Sequence, residues 1–329
     1  MNFAIIGTNY VSDWLITAGK NCEKFHVQAV YSRTMERARE FADKYGIEDC
    51  YDSLDELAAA ANVDAVYVAS PNALHAKQSI QMMNGGKHVL CEKSIASNER
   101  ELQEMLKTAK KNHVIVMEAM RSVMDPGFAA IQEHLPKIGR VRRATIQYCQ
   151  YSGRYDKFKN GIIENAFKPE LSNGSLMDIG VYCVHPMVKL FGRPDQISAS
   201  CVKLENGVDG MGTIMAKYEK KGILVELIYS KITDSILPTQ IQGEAGSMII
   251  EEIPNTNRIK IRYRDKSWEE ICVEKVDPGN NMYYEIEEFI RIAERGESAD
   301  EHNQYSIWEM QVMDEARRQM GIVFPADKV

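Results

Sequence analysis

From Asn2 to about Ala119, short apolar runs alternate with amphipathic stretches, and that rhythm leaves few folds open. The runs Phe3-Ala4-Ile5-Ile6, His26 to Tyr31, Ala65 to Ala69, His88 to Cys91 and Val114 to Met117 have the length and content of buried strands. Between them, Met35 to Tyr45 and Asn98 to Asn112 carry apolar residues at three- and four-residue spacing, with Gly46, Gly85 and Gly86 standing where helices end. Strand, helix, strand repeated in this way requires right-handed crossovers, which predicts an α/β fold with a doubly wound parallel sheet.

After about Met120 the rhythm changes. Val141 to Tyr151, Ile197 to Lys203, Met211 to Tyr218, Gly222 to Lys231 and Met248 to Ile253 read as longer strands of a mostly antiparallel open sheet. Arg258 to Tyr263 alternates strictly, so one face of that sheet is wet and the other covered. Helical patterns at Asp178 to Phe191, Tyr284 to Ala293 and Ser306 to Met320 provide cover. At 329 residues the chain suits two domains. The boundary is placed at 120/121, with a dinucleotide-type domain over 1–120 and an α+β domain over 121–329.

Composition narrows the function. A net charge of −7 argues against a nucleic-acid partner, which needs a concentrated basic face. No apolar run approaches the ~20 residues that span a bilayer, and the strand pattern at Asn2 to Gly7 leaves no room for a leader. The 7 cysteines are scattered and never form a CxxC pair, as in reduced cytoplasmic proteins, and the 7 histidines show no metal-ligand spacing. Small-molecule chemistry is the expectation.

Five segments can carry chemistry. Gly7-Thr8-Asn9-Tyr10-Val11-Ser12 lies where a dinucleotide fold places its glycine-rich turn, but keeps only the first glycine. The second strand ends in Ser32-Arg33-Thr34 with no acid to hold a ribose 2′-hydroxyl; Ser32 and Arg33, with Arg37 a turn later, are suited to a 2′-phosphate, while Thr34 can cap the next helix and leave both arginines solvated. Ser70-Pro71-Asn72-Ala73-Leu74-His75 leads from a strand into a helix, where backbone groups can line a nicotinamide edge and His75 is either structural or facing the site. Glu92-Lys93 stands at the carboxyl end of a buried strand, the edge at which such sheets bind ligands. A fifth stretch, Ser175 to Pro186, puts Asp178, Tyr182 and His185 on one helical stripe, which serves either proton transfer or a core-facing helix.

Together, Ala29 to Arg33, Ser70 to His75, Gly86 to Lys93 and Asp178 to Tyr182 resemble the Gfo/Idh/MocA oxidoreductase family over essentially the whole chain. The resemblance implies an N-terminal Rossmann domain that binds NADP or NAD, and a C-terminal domain whose open sheet forms homodimers or homotetramers. It implies hydride transfer to or from a carbon-oxygen bond of a sugar, polyol or diol. Glu92 and Lys93 match the family's Glu-Lys-Pro motif, with Ser94 where proline is usual before a cis peptide. Asp178 and Tyr182 match the branch that includes glucose-fructose oxidoreductase and dihydrodiol dehydrogenase; the inositol dehydrogenase branch commonly has His at the latter position. Asn165-Ala166 falls where many members have Trp-Arg, and Val123 replaces a frequent arginine, with Arg121 close by.

The resemblance therefore assigns catalysis to Lys93, Asp178 and Tyr182, and together with the strand-end segments above it gives cofactor contacts at Gly7, Thr8, Asn9, Tyr10, Ser32, Arg33, Arg37, Ser70, Pro71, Asn72, His75, Glu92 and Lys93. On this assignment Tyr182 takes the substrate proton, Lys93 stabilises the developing alkoxide, Asp178 orients the substrate or Tyr182, and His185 links the site to solvent. The alternative is a binding protein that senses a sugar or nucleotide without turning it over, an idea motivated by the altered glycine turn.

Overall fold

The computed structural model describes residues 1–328. The chain forms two compact units: residues 1–120 with 280–307, and residues 121–279 with the stretch from Trp308 onward.

In the first unit six strands pair in parallel in the order β3-β2-β1-β4-β5-β6. They are β1 (Asn2–Ile6), β2 (His26–Tyr31), β3 (Asp49–Tyr51), β4 (Ala65–Val68), β5 (His88–Glu92) and β6 (Val116–Ala119). The intervening helices are α1 (Tyr10–Gly19), α2 (Met35–Asp43), α3 (Leu54–Ala59), α4 (Asn72–Asn84) and α5 (Glu99–Asn112). Phe3 to Ile5 and Ala65 to Val68 are fully buried, as expected of parallel strands covered on both faces. The strand predicted over Val114 to Met117 begins two residues later, because Val114 N–H still turns back to the Ala109 carbonyl behind the left-handed cap His113. β3 has only three residues and was too short to show a pattern.

The second unit holds α6 (Arg121–Met124), α7 (Pro126–His134), α8 (Gly153–Lys159), a π-turn over Leu176–Gly180 and α9 (Val181–Phe191). Its sheet has eight strands: β7 (Val141–Cys149), β8 (Gln196–Lys203), β9 (Asp209–Tyr218), β10 (Ile223–Ser230), β11 (Thr239–Gly243), β12 (Gly246–Ile250), β13 (Arg258–Tyr263) and β14 (Trp268–Cys272). Their order is β14-β13-β12-β11-β7-β10-β9-β8, antiparallel except for the pair β7 and β10. One face is core, built on Ala144, Ile146, Ile214, Val225, Leu227, Ile241 and Ile261, all fully buried. The other face is half-open. β11 and β14 went unpredicted because Thr-Gln-Ile-Gln-Gly and Trp-Glu-Glu-Ile-Cys offer too little apolar alternation.

The chain ends in α10 (Met282–Arg295) and α11 (Asp300–Met320). The sequence reading ran the second domain unbroken to the C-terminus, whereas Asn280–Ile307 packs with the first unit. The reason is the buried stripe of α10: Phe289 lies 5.7 Å from Phe3 of β1, ring to ring. Lys24 pairs with Glu294 at 2.5 Å and Asn280 donates to the Trp14 carbonyl, fixing the edges of that contact. No helix among the described residues is long and apolar enough to cross a membrane.

Candidate active site

The turn after β1 holds together by hydrogen bonds where its missing glycines would be. Gly7 has φ of 109°, and its N–H donates to the Tyr31 carbonyl at 3.3 Å. A Cβ there would stand 2.6 Å from the Ala69 carbonyl oxygen, so the first glycine is sterically required. Asn9, in the second glycine's place, caps α1 by accepting from Val11 N–H at 2.8 Å and donates its amide to the Ala69 carbonyl at 2.7 Å. Ser12, in the third place, is fully buried and donates to the Gly7 carbonyl at 2.7 Å. Thr8 is half-buried, and Tyr10 opens α1 half-exposed, edge-on to Trp14 at 5.7 Å.

At the end of β2, Ser32 is buried with its N–H on the Tyr51 carbonyl. Thr34 caps α2 by accepting from Arg37 N–H at 3.4 Å. Arg33 and Arg37 project into solvent, and neither forms an ion pair among the described residues. This edge therefore offers a cluster of positive charge with no carboxylate at the strand end.

At the end of β4, Ser70 and Pro71 lead into α4, with Pro71 extended at the cap and Asn72 buried at the first helical position. Ser70 Oγ is buried without a hydrogen-bond partner among the described residues. His75 is 1 % exposed, with Nδ1 2.9 Å from the Ser94 carbonyl and Nε2 2.7 Å from the Ser70 carbonyl. Burial pulls its pKa down to about 4, over the opposing pull of those two carbonyls. His75 is thus a staple between the β4 and β5 loops, the structural role of the two considered.

Glu92 closes β5. Its carboxylate accepts from Tyr67 Oη at 2.5 Å and from Lys93 N–H at 3.1 Å. The Lys93–Ser94 peptide is cis with serine in the usual proline position. Ile95 N–H then donates to Glu118 on β6 at 3.0 Å, and Ser306 Oγ donates to the same carboxylate at 2.6 Å. Lys93, half-buried, is therefore carried on a segment bonded to three neighbouring elements.

In the second unit, Asp178 lies in the π-turn and Tyr182 in the first turn of α9. The wider π-turn displaces the simple helical stripe assumed from the sequence. His185, in the same helix, is 4 % exposed with Nδ1 2.6 Å from Glu309 Oε2 of α11, so a buried pairing stands where a solvent link was expected. Asp178 forms an ion pair with Lys231, whose ammonium is buried and stands 5.3 Å over the Phe167 ring. Tyr182, 7 % exposed, accepts from Arg121 Nε at 3.3 Å and packs edge-on to Tyr148 at 5.7 Å. Asn165 and Ala166 form a short 3₁₀ turn with Phe167.

The π-turn is anchored by Asp209 of β9, which accepts from Leu176 N–H at 2.6 Å. Burial pushes the Asp209 carboxyl up to about 6, against the backbone amides it accepts from. Lys231, Asp209 and the role of Arg121 were missed from the sequence. Nothing local marks the first two, since each is one polar residue at the end of a strand.

The family model described as "Oxidoreductase family, NAD-binding Rossmann fold" matches residues 1–120, and the "GFO/IDH/MocA C-terminal domain" model matches residues 134–249. Over 330 aligned positions, covering 100% of this chain and 99% of the relative, the sequence is 49% identical to scyllo-inositol 2-dehydrogenase (NADP(+)) IolU of Bacillus subtilis. It is 36% identical to the uncharacterized oxidoreductase YgjR of Escherichia coli, covering 100% and 99% of the two chains. It is 28% identical to trans-1,2-dihydrobenzene-1,2-diol dehydrogenase of Danio rerio, covering 93% and 92%. Among solved structures, the 3-ketoreductase KijD10 of Actinomadura kijaniata, in complex with NADP and TDP-benzene, superposes with a TM-score of 0.87 at 19% identity, over 97% of this chain and 98% of that one. At that identity the likeness is one of fold.

Proposed function

Because the chain belongs to the Gfo/Idh/MocA oxidoreductase family, and is an NAD(P)-dependent dehydrogenase/reductase, we propose that it interconverts a ring hydroxyl and ketone of a cyclic polyol, with NADP as the preferred cofactor. The observation that carries the chemistry is the pairing in the second unit: a phenol and a carboxylate, on adjoining turns, each held by its own cation. The polyol comes from the 49% identical relative, named for scyllo-inositol. Tyr182 by itself had pointed away from inositol dehydrogenases, so the whole-chain likeness outweighs the single position.

The residues present fit a dinucleotide. Gly7, Thr8, Asn9 and Tyr10 would present the turn and the α1 N-terminus to the pyrophosphate. Ser32, Arg33 and Arg37 would hold a 2′-phosphate, and Ser70, Pro71, Asn72 and Glu92 would border the nicotinamide, with His75 fixing the loop behind them. When bound, the cofactor accepts or donates the hydride. Tyr182 accepts the hydroxyl proton in the oxidising direction and returns it in the reducing one. Lys93 stabilises charge on the reacting oxygen, and Asp178, fixed by Lys231, orients the substrate hydroxyls.

Two finer readings accompany this. The half-open sheet face carries Met211, Met215, Leu224, Ile228 and Ile249 at half-buried or exposed positions between polar neighbours, which supports a homodimer or homotetramer testable by light scattering. Seven free cysteines support a cytoplasmic location.

The deciding experiment measures reduction of NADP and NAD with scyllo-inositol, myo-inositol, sugars and dihydrodiols. Turnover is expected with NADP and an inositol, and Arg33→Ala/Arg37→Ala is expected to raise the KM for NADP about tenfold while leaving that for NAD unchanged. Tight NADPH binding without turnover on any substrate would replace the enzyme by a sensor.

A further inference from the structure

Arg121 opens α6, and its guanidinium is fixed at three points. Nη1 donates to the Pro254 carbonyl at 3.1 Å, Nε donates to Tyr182 Oη at 3.3 Å, and Cζ stands 5.2 Å from the centre of the Tyr182 ring. Pro254 lies in the turn between β12 and β13, which is itself locked. Lys275 Nζ donates to Asn255 Oδ1 at 2.6 Å and pairs with Asp125 at 2.6 Å, both charged side chains being fully buried. Asp125 caps α7 beside Arg121, and a Cβ on Gly127 would stand 2.0 Å from the Thr256 carbonyl oxygen, so this turn and α7 are in close contact. Tyr148 meets the Tyr182 ring edge-on. The phenol and the guanidinium are thus set against each other by packing from α6, α7, β7 and the β12–β13 turn.

The chemistry of that contact has one sense. A guanidinium carries only donors, so the phenol oxygen is the acceptor and its hydrogen must point to another acceptor. We propose that Arg121 is the positioning residue of Tyr182, directing the phenolic hydrogen away from itself toward the reacting oxygen and standing as a fixed counter-charge when that hydrogen has left. In reduction, the Tyr182 O–H bond breaks and an O–H bond forms on the substrate oxygen as hydride reaches the adjoining carbon; solvent then restores the phenol proton. In oxidation the proton travels the other way. The proposal rests on the reading of Tyr182 as the proton-transfer group.

The test compares Tyr182→Phe, Arg121→Ala, Arg121→Lys and the Arg121→Ala/Tyr182→Phe double variant, with guanidinium chloride added at tens of millimolar. Arg121→Ala should lower kcat about 10- to 100-fold with KM for substrate and cofactor within about threefold, since only the proton-transfer geometry is lost. Guanidinium should restore kcat several-fold in Arg121→Ala and not at all in the double variant. Arg121→Lys, which retains charge, should fall between the parent and alanine; it also carries the test if alanine unfolds, because a parental kcat in Arg121→Lys would overturn the fixed-donor role. Parental kcat in Arg121→Ala, a change in KM alone, or absence of guanidinium rescue in a folded variant would each overturn the proposal. Full turnover in Tyr182→Phe would instead remove the reading of Tyr182 beneath it. Loss in Tyr182→Phe without loss in Arg121→Ala would remove Arg121 alone.

Discussion

The phosphate turn of the first unit and the π-turn of the second solve the same problem, holding a helix start at a functional edge, with opposite materials. The first uses neutral bonds to backbone: Asn9 accepts from Val11 N–H and donates to the Ala69 carbonyl 60 residues on, and Ser12 donates to the Gly7 carbonyl. The second uses charged partners, which also come from far along the chain. Lys231 is 53 residues from Asp178, Arg121 is 61 residues from Tyr182, and Asp209 is 33 residues from Leu176. A neutral turn survives the loss of a glycine if a side chain can replace the missing contact. A charged one fails when either partner goes, because the remaining charge is left in a partly buried setting.

The largest expected combined effect, on stability and turnover together, lies in the charged region. Lys231→Met keeps the packing against Phe167 but removes the ammonium paired with the Asp178 carboxylate, which is about a quarter exposed. A loss of about 2–3 kcal/mol in stability is expected, below the full buried-pair range because of that exposure, together with at least tenfold in kcat. Adding Asp178→Asn should recover stability in denaturant titration but not turnover. Recovery of both would show that the pair is merely structural.

The two regions should also respond to pH with opposite signs. His75 titrates near 4 when folded and near 6.5 when free, so the folded first unit resists its protonation. Its contribution is complete above about pH 6.5 and falls as pH drops toward 4. Asp209 titrates near 6 when folded against 3.8 when free, so its ionisation destabilises the fold; that cost is present above pH 6 and relieved as pH falls toward 3.8. Each effect is on the order of 3 kcal/mol, at about 1.4 kcal/mol per unit, and between pH 4 and 6 they oppose. Denaturant titrations at pH 4.5 and 7 should show that Asp209→Asn loses more stability on acidification than the parent, and His75→Gln less. Identical pH slopes in all three proteins would refute the burial argument.

How much of this was legible in the sequence follows from the same contrast. The alternation that gave the parallel sheet, and the order of Gly7, Ser32, Ser70 and Lys93 along its carboxyl edge, depend on local pattern, and local pattern was enough. Asp178 and Tyr182 stood out by helical spacing, but their catalytic assignment came only through resemblance, since a helical stripe holding an acid and a phenol is common in cores. Their partners were invisible: Lys231 reads as the polar end of a strand, and Arg121 as the first residue of a four-residue helix. The transfer of α10 to the first unit was hidden for a related reason. An amphipathic helix declares that it will be covered, not by what, and only the packing of Phe289 on Phe3 answers that.

The smallest effects test whether the neutral turn is as tolerant as it looks. Gly7→Ala sets the upper limit: with φ at 109° and a Cβ 2.6 Å from the Ala69 carbonyl oxygen, about 2 kcal/mol of stability should be lost. Asn9→Gly removes the α1 cap and the bond to Ala69, but restores the glycine usual at that place, so only about 1 kcal/mol should go. Cofactor affinity should hold or improve, because backbone can then approach the pyrophosphate without a side chain between. Thermal melts and NADPH titration read the two quantities separately. If Asn9→Gly weakens NADPH binding more than it lowers stability, Asn9 is itself a cofactor ligand, and the turn is less purely a backbone device than its hydrogen bonds make it.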